Sequence, residues 1–251
     1  MKLQIRLFAA LLLLAITAGA QNHHTVYGGY TNYRLVNKDD DPTTFHGFHV
    51  GWEYSHRLLS DVPVYANIGV AFYWNWNRYH NTEALQIDDE LEVENVGAIP
   101  VQVNGHAESI SNTNYGGIRV PLSFSYEFLI PNTKLYVIPM AGFHVNINIS
   151  ARQFNQLNMQ LEELTAFPGE TYAESVPYDP YIVVQATNET KLIGDTDLGR
   201  ESYHRMQAGW QVGLNLRLSH YNAGFTYEQE FMRLCSAYTS NAFYVRLGYT
   251  F

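Results

Sequence analysis

From Arg205 to Leu218 the chain alternates without a break. Met206, Ala208, Trp210, Val212, Leu214, Leu216 and Leu218 are separated by Arg205, Gln207, Gly209, Gln211, Gly213, Asn215 and Arg217. A period of two excludes a helix and defines a strand with one apolar and one polar face. The same pattern recurs at residues 48–54, 64–77, 117–128, 135–147, 221–231 and 241–251, and least clearly at 25–35, where the facing stays open. These segments predict eight strands. Ten residues at ~3.3 Å each, tilted ~40°, climb about 25 Å, the height of the apolar band of an outer-membrane barrel.

The connections alternate in length. Residues 36–44, 78–114, 150–203 and 232–240 are long, whereas 56–62, 129–132 with its Pro131-Asn132 pair, and 219–220 are short. Up-and-down barrels have this asymmetry, with short turns on the periplasmic side and long loops outside. The fold class expected is therefore all-β: a closed antiparallel up-and-down transmembrane β-barrel of about eight strands with two long extracellular loops. A secreted β-sandwich is its main competitor. Within the long loops, 86–94 and 99–105 alternate around 95–98 as a projecting hairpin would. Leu157, Leu161 and Leu164 have helical spacing and predict a short surface helix. Pro121 and Pro139 fall inside strands, where each removes a ladder donor, and bulges are expected to accommodate them.

The first twenty residues join Lys2 and Arg6 to an apolar core, 7–16, and the small ending Ala18-Gly19-Ala20. This is the pattern of a secretory signal peptide, with residues 21–251 as the mature barrel domain. About ten apolar residues are too few to cross a ~30 Å hydrocarbon layer. Gln21 follows, so the lipidated cysteine of a lipoprotein is not expected. The mature chain then carries 13 basic against 24 acidic residues, which makes nucleic acid an unsuitable partner. Cys235 is the only cysteine, which rules out an intramolecular disulfide.

The signal peptide, the strand Ile118-Arg119-Val120-Pro121-Leu122-Ser123-Phe124, the strand Val137-Ile138-Pro139-Met140-Ala141-Gly142 and the ending Val245-Arg246-Leu247-Gly248-Tyr249-Thr250-Phe251 resemble the PorT-like and OmpX-like outer-membrane β-barrel proteins. The resemblance covers strands only, about half of the mature chain. It implies a multi-pass protein of the bacterial outer membrane with both mature termini in the periplasm. Phe251, with Tyr249, would be the signal read by the barrel assembly machinery. Outer-membrane lipids and lipopolysaccharide would be its surroundings.

Strand parity directs Glu53, Arg119, Glu127, Arg205, Arg217, Glu228, Glu230 and Arg246 into the barrel. An eight-stranded barrel is just wide enough to be filled by its own side chains. Four carboxylates and four guanidiniums then make an ion-pair plug; a narrow ion or proton path is the rival. His49 and His144 also face inward, where hydrogen bonding outweighs an acid-base pair with Glu53 or Glu127. Phe72, Tyr73, Trp74, Trp76 and Tyr79 gather where a strand leaves the membrane, as an interfacial girdle or, alternatively, a sugar-stacking platform. The acidic runs Asp39-Asp40-Asp41 and Asp88-Asp89-Glu90 with Glu92 and Glu94 fit no calcium-loop spacing and are expected to be solvated. No cofactor, no metal site and no catalytic constellation is expected. The functional expectation is a non-enzymatic barrel that presents its long loops to an unidentified extracellular ligand or supports the envelope. An accessory role in protein export or assembly, and a lipid- or peptide-directed barrel enzyme, are the alternatives.

Overall fold

In a computed structural model of the chain, the structure describes residues 22–36, 42–93, 97–166, 174–176 and 183–251. The expected signal peptide, Asp39-Asp40-Asp41 and Glu94 lie outside the described residues, as do the side chains of Asp88, Asp89, Glu90 and Glu92. Eleven strands are described: β1 His23–Val36, β2 Thr43–Arg57, β3 Val64–Val93, β4 Gly97–Tyr126, β5 Phe128–Leu129, β6 Leu135–Ala166, β7 Glu174–Val176, β8 Val183–Lys191, β9 Met206–Leu218, β10 Tyr221–Met232 and β11 Thr239–Thr250.

The hydrogen-bonded order β4-β3-β2-β1-β11-β10-β9-β6 is closed by pairing between β4 and β6, so eight strands form a ring. The fold is a closed antiparallel up-and-down β-barrel. Closure removes the unpaired edges that an open sheet would expose. First and last strands seal one seam in continuous register, from Thr25 opposite Thr250 to Val36 opposite Thr239. The turn Ser219-His220 joins β9 to β10, and Ser219 takes φ 56°. Asn132, in the turn before β6, takes φ 61°, a left-handed conformation that its short amide side chain tolerates.

Pro139 pairs with Leu214 without any register shift between β6 and β9. The bulge expected there is not needed: the strand gives up one donor and keeps its pleat. A register shift does occur between β9 and β10. Glu230 opposes Gly209 and Met232 opposes Ala208, which leaves Phe231 as the extra residue.

The chain divides into two compact units. The first comprises residues through Trp76, Asn114–Ala151 and Leu192–Phe251; the second comprises Asn77–Thr113 and Arg152–Lys191. The first holds the barrel. In the second, the expected loops are largely strand: β3 and β4 are sheet neighbours, consistent with the expected hairpin, and β6 pairs with β8 from Arg152–Lys191 to Gln160–Val183. The helix expected around Leu157, Leu161 and Leu164 is therefore corrected to strand. Leu157 pairs with Ala186 on β8 and Leu164 with Val176 on β7, so the backbone here is committed to ladders that a helix would not leave free.

Candidate functional site in the barrel interior

The facing of the barrel strands is inverted relative to a water-soluble protein. Along β9, Gln207, Gln211, Asn215 and Arg217 are buried, while Met206, Trp210, Val212, Leu216 and Leu218 are exposed. The contrast is wide: Leu247 is 67% exposed and Glu228 2%. The pleat sends alternate side chains to opposite faces, so one choice of facing puts every polar residue of β9 inside.

At the end of the barrel that carries the short turns, the interior is charged. Both guanidinium nitrogens of Arg217 donate to the carboxylate of Glu127, at 2.6 and 2.7 Å, and its guanidinium lies 4.6 Å over the Tyr136 ring. Arg246 donates to Glu53 at 3.3 Å and to Asn215 at 2.9 Å, and sits over the Tyr27 ring. Asn67 donates to Ser123 and Ser125 at 3.2 and 2.9 Å. Glu53, Asn67, Ser125, Glu127, Asn215, Arg217 and Arg246 border a cavity of about 40 Å³, room for only a few water-sized molecules and too small for a sugar. Buried ions are tolerable here because their partners are fixed and bidentate where the geometry allows.

Midway along the interior, Arg119 pairs with Glu228, donates to Gln211 at 2.7 Å and lies 4.3 Å over Tyr244. His144 Nδ1 is 3.5 Å from Glu228, and the ring occupies space left by Gly209, its register partner on β9. A Cβ on Gly209 would come 2.6 Å from the His144 ring carbon Cε1. His49 Nδ1 lies 3.3 Å from the Thr31 hydroxyl. Thus His144 meets Glu228 rather than Glu53 or Glu127, and His49 meets a threonine and the Tyr244 ring.

The other end of the interior is aromatic. Tyr115 is the centre, with ring centroids of Phe45, Tyr33, Tyr203 and Tyr73 at 5.3, 5.5, 6.0 and 6.1 Å, all edge-to-face. Edge-to-face packing suits the ring quadrupole and adds to the burial itself. Leu35, Ala151, Leu192, Leu234, Cys235, Ala242 and Tyr244 complete the cluster. Burial pushes the Tyr203 phenol and the Cys235 thiol, both outside the strands, to higher pKa values than usual. Around the cluster runs a hydrogen-bond set gathered on Glu230: Tyr33 donates to Glu230 at 2.9 Å, Gln207 donates to Tyr33 and Glu230, Ser240 bonds Glu230, and Tyr73 donates to Asn148.

Glu53, Arg119, Glu127, Arg217, Glu228 and Arg246 thus lie inside in pairs, and Glu230 lies half-buried among neutral donors. Arg205 is corrected: its side chain is exposed. It precedes the first residue of β9, in a bend whose carbonyl accepts from the Asn148 amide, and alternation fixes facing only within the pleat. With Arg205 outside, the interior holds those four carboxylates against three guanidiniums.

Phe72, Trp76 and Tyr79 are exposed, Trp74 is half-buried and Tyr73 points into the aromatic cluster. Tyr249 and Phe251 are exposed, and Phe251 stacks on His24 while their backbones exchange hydrogen bonds at 3.1 and 2.9 Å. Sequence reasoning missed the cation-π partners Tyr27, Tyr136 and Tyr244, and the cluster around Tyr115. The signal for Tyr136 and Tyr244 was present, since both stand in the inward phase of their strands. Leu192, Tyr203, Leu234 and Cys235 had no such signal, because they come from connections that carry no alternation.

No protein-family model and no curated protein matches the chain. Solved structures similar to it include the attachment invasion locus protein Ail of Yersinia pestis, at 10% identity, covering 92% of this chain and 99% of that one with a TM-score of 0.35. Neisserial surface protein A shows 9% identity, coverage of 90% and 95%, and a TM-score of 0.35. The N-terminal β-barrel domain of Pseudomonas aeruginosa OprF shows 10% identity, coverage of 92% and 100%, and a TM-score of 0.25. Likeness at this level says nothing of ligand or role.

Proposed function

We propose that this chain is a non-enzymatic integral protein of the bacterial outer membrane, with a filled interior and long extracellular loops that serve binding or envelope integrity. The observation that carries the reading is the inverted barrel. A belt of Val50, Phe124, Phe143, Leu216 and Leu247 faces outward around a ring whose inward faces hold paired ions and hydrogen-bonded amides. In water that belt would be a severe aggregation liability; in lipid it is the required surface. All barrel backbone groups can pair within the closed ring, the other condition for residence in hydrocarbon.

Kinship with the PorT-like and OmpX-like barrels is the finer form of this proposal. It rests on the strand motifs around Pro121 and Pro139 and on the ending at Phe251. On this reading the termini are periplasmic, Phe251 and Tyr249 engage the barrel assembly machinery, and the aromatic rims Phe72, Trp74 and Trp76 sit at headgroup level with lipopolysaccharide around them. The ion pairs and the Tyr115 cluster close the lumen.

Two measurements test it. Detergent-extracted protein should migrate faster unboiled than boiled, and should fractionate with outer membranes; identical mobility and an aqueous fraction would sink the barrel reading. In planar bilayers, purified protein should add no current above leak. Steady ion conductance would overturn the filled lumen while leaving the membrane location intact.

A further inference from the structure

The bulge between β9 and β10 has built an outward-facing pocket that the interior does not use. Because Phe231 is the extra residue, the facing of β10 shifts by one position after it, and Met232 comes opposite Ala208 on the outward side rather than turning inward. Phe231 is 60% exposed, Met232 48% and Met206, at the start of the neighbouring strand, 53%. Over this apolar floor stand Arg205, Arg233 and His204, and together they line an open depression of about 610 Å³. His204 is held in place: its Nδ1 lies 3.1 Å from the Arg233 carbonyl and its backbone N–H donates to the Leu234 carbonyl.

Both arginines are exposed, and among the described residues neither has a carboxylate within ion-pair distance, in contrast to the guanidiniums of Arg119, Arg217 and Arg246. Glu201, whose charge acts on Cys235 in the same segment, does not line the pocket. In a chain with an acidic excess, two unpaired guanidiniums beside three exposed apolar side chains are complementary to one kind of molecule: an amphiphile with acyl chains and a phosphorylated head. Guanidinium suits phosphate because its fork can donate two parallel charge-assisted hydrogen bonds.

We infer that Arg205 and Arg233, above Met206, Phe231 and Met232, form a binding site for the phosphorylated headgroup of an outer-leaflet glycolipid. The inference rests on the membrane reading given above, which sets this rim among lipid headgroups. Acyl chains run down the Phe231 and Met206 surface, and the headgroup phosphate bridges the two guanidiniums.

The test uses the full chain refolded into phosphatidylcholine vesicles doped with bisphosphorylated lipid A, or with the same lipid after enzymatic removal of its phosphates. After detergent extraction, retained lipid is counted by native mass spectrometry. The wild type should retain the phosphorylated form, and Arg205→Gln with Arg233→Gln should lower that retention about tenfold, the loss of at least one charge-assisted bond. The dephosphorylated form should be held weakly and equally by both. Arg205→Lys with Arg233→Lys keeps both charges but loses the paired donors of the fork, and its retention should fall between that of the wild type and that of the double glutamine variant. Arg152→Gln, an exposed arginine of the second unit, should change nothing.

Equal retention of the two lipids, or of the phosphorylated lipid by wild type and the double glutamine variant, overturns the site. Displacement by inorganic phosphate at concentrations matching the lipid also overturns it, because acyl chains would then contribute nothing. Heat-dependent mobility on a detergent gel is checked for every variant. A wild type that stays in the aqueous fraction overturns the membrane reading and this site with it, whereas insertion without selective retention overturns the site alone.

Discussion

The two ends of the barrel interior are filled by opposite means. At the short-turn end, Arg217, Glu127, Arg246 and Glu53 are held as ion pairs around a cavity of about 40 Å³. At the far end, Tyr115 packs among Phe45, Tyr33, Tyr73 and Tyr203, and a carboxyl stands only at the margin, that of Glu230. One barrel therefore uses two kinds of filling. Ion pairs are directional and fail when either partner is lost, because the survivor is left charged in low dielectric. A packed apolar cluster holds no charge to strand and fails in proportion to the volume removed.

The largest effect should come from breaking a pair. Arg217→Met leaves Glu127 buried without its guanidinium and should cost about 3–5 kcal/mol in urea unfolding from vesicles. Arg217→Met combined with Glu127→Met should recover most of that loss, since apolar side chains of similar size replace both ions. A double variant as unstable as the single one would show that the charged end depends on something other than pairing.

At the aromatic end, Tyr115→Ala should cost about 3 kcal/mol by the same measurement, as a large-to-small change in a packed cluster does. A loss below about 1 kcal/mol would mean that the cluster collapses around the gap and is not close-packed. A smaller change of opposite sign separates packing from polarity at this position. The Tyr115 hydroxyl is buried and, among the described residues, has no hydrogen-bond partner. Tyr115→Phe should therefore stabilise the barrel by about 1 kcal/mol, and destabilisation would show that the hydroxyl is bonded after all.

The smallest effect lies in the second unit, where an exposed pair provides the contrast to both ends. Hydrogen bonds from Asn158 and His80, the latter at 2.8 Å, hold the Glu108 carboxyl below its usual pKa. A depressed carboxylate contributes stability above its unfolded value and loses it as pH falls through the lowered folded value. Amide exchange around Glu108 and Asn158, corrected for intrinsic rates, should accelerate across that acid window, and Glu108→Gln should abolish the acceleration. An identical pH profile in the variant would remove the carboxylate from the account. Solvent exposure keeps the effect small.

Much of this architecture was legible along the chain. The clean alternation at 205–218 and 241–251 placed Gln211, Asn215, Arg217 and Arg246 on the inward face, and the unequal connection lengths indicated the up-and-down order. Where alternation was weak the reading stopped: 25–35 left the facing open, yet Tyr27, Thr31, Tyr33 and Leu35 are buried. Two of these four are among the groups that build the aromatic end. Leu157, Leu161 and Leu164 have helical spacing, and only the ladders to β8 and β7 separate strand from helix.

What the sequence determined by itself is the set of strands and, within each, which residues share a face, because a pleated backbone alternates its side chains whatever surrounds it. Tertiary structure decided where each pleat begins and ends and what meets across the ring. It turned Arg205 outward one residue before β9, inserted Phe231 as a bulge, and drew Leu192, Tyr203, Leu234 and Cys235 from the connections into the Tyr115 cluster. The physical reason is range. Alternation is set by neighbours one and two residues away, whereas register, closure and packing depend on partners as far as 225 residues apart or more, such as Thr25 and Thr250.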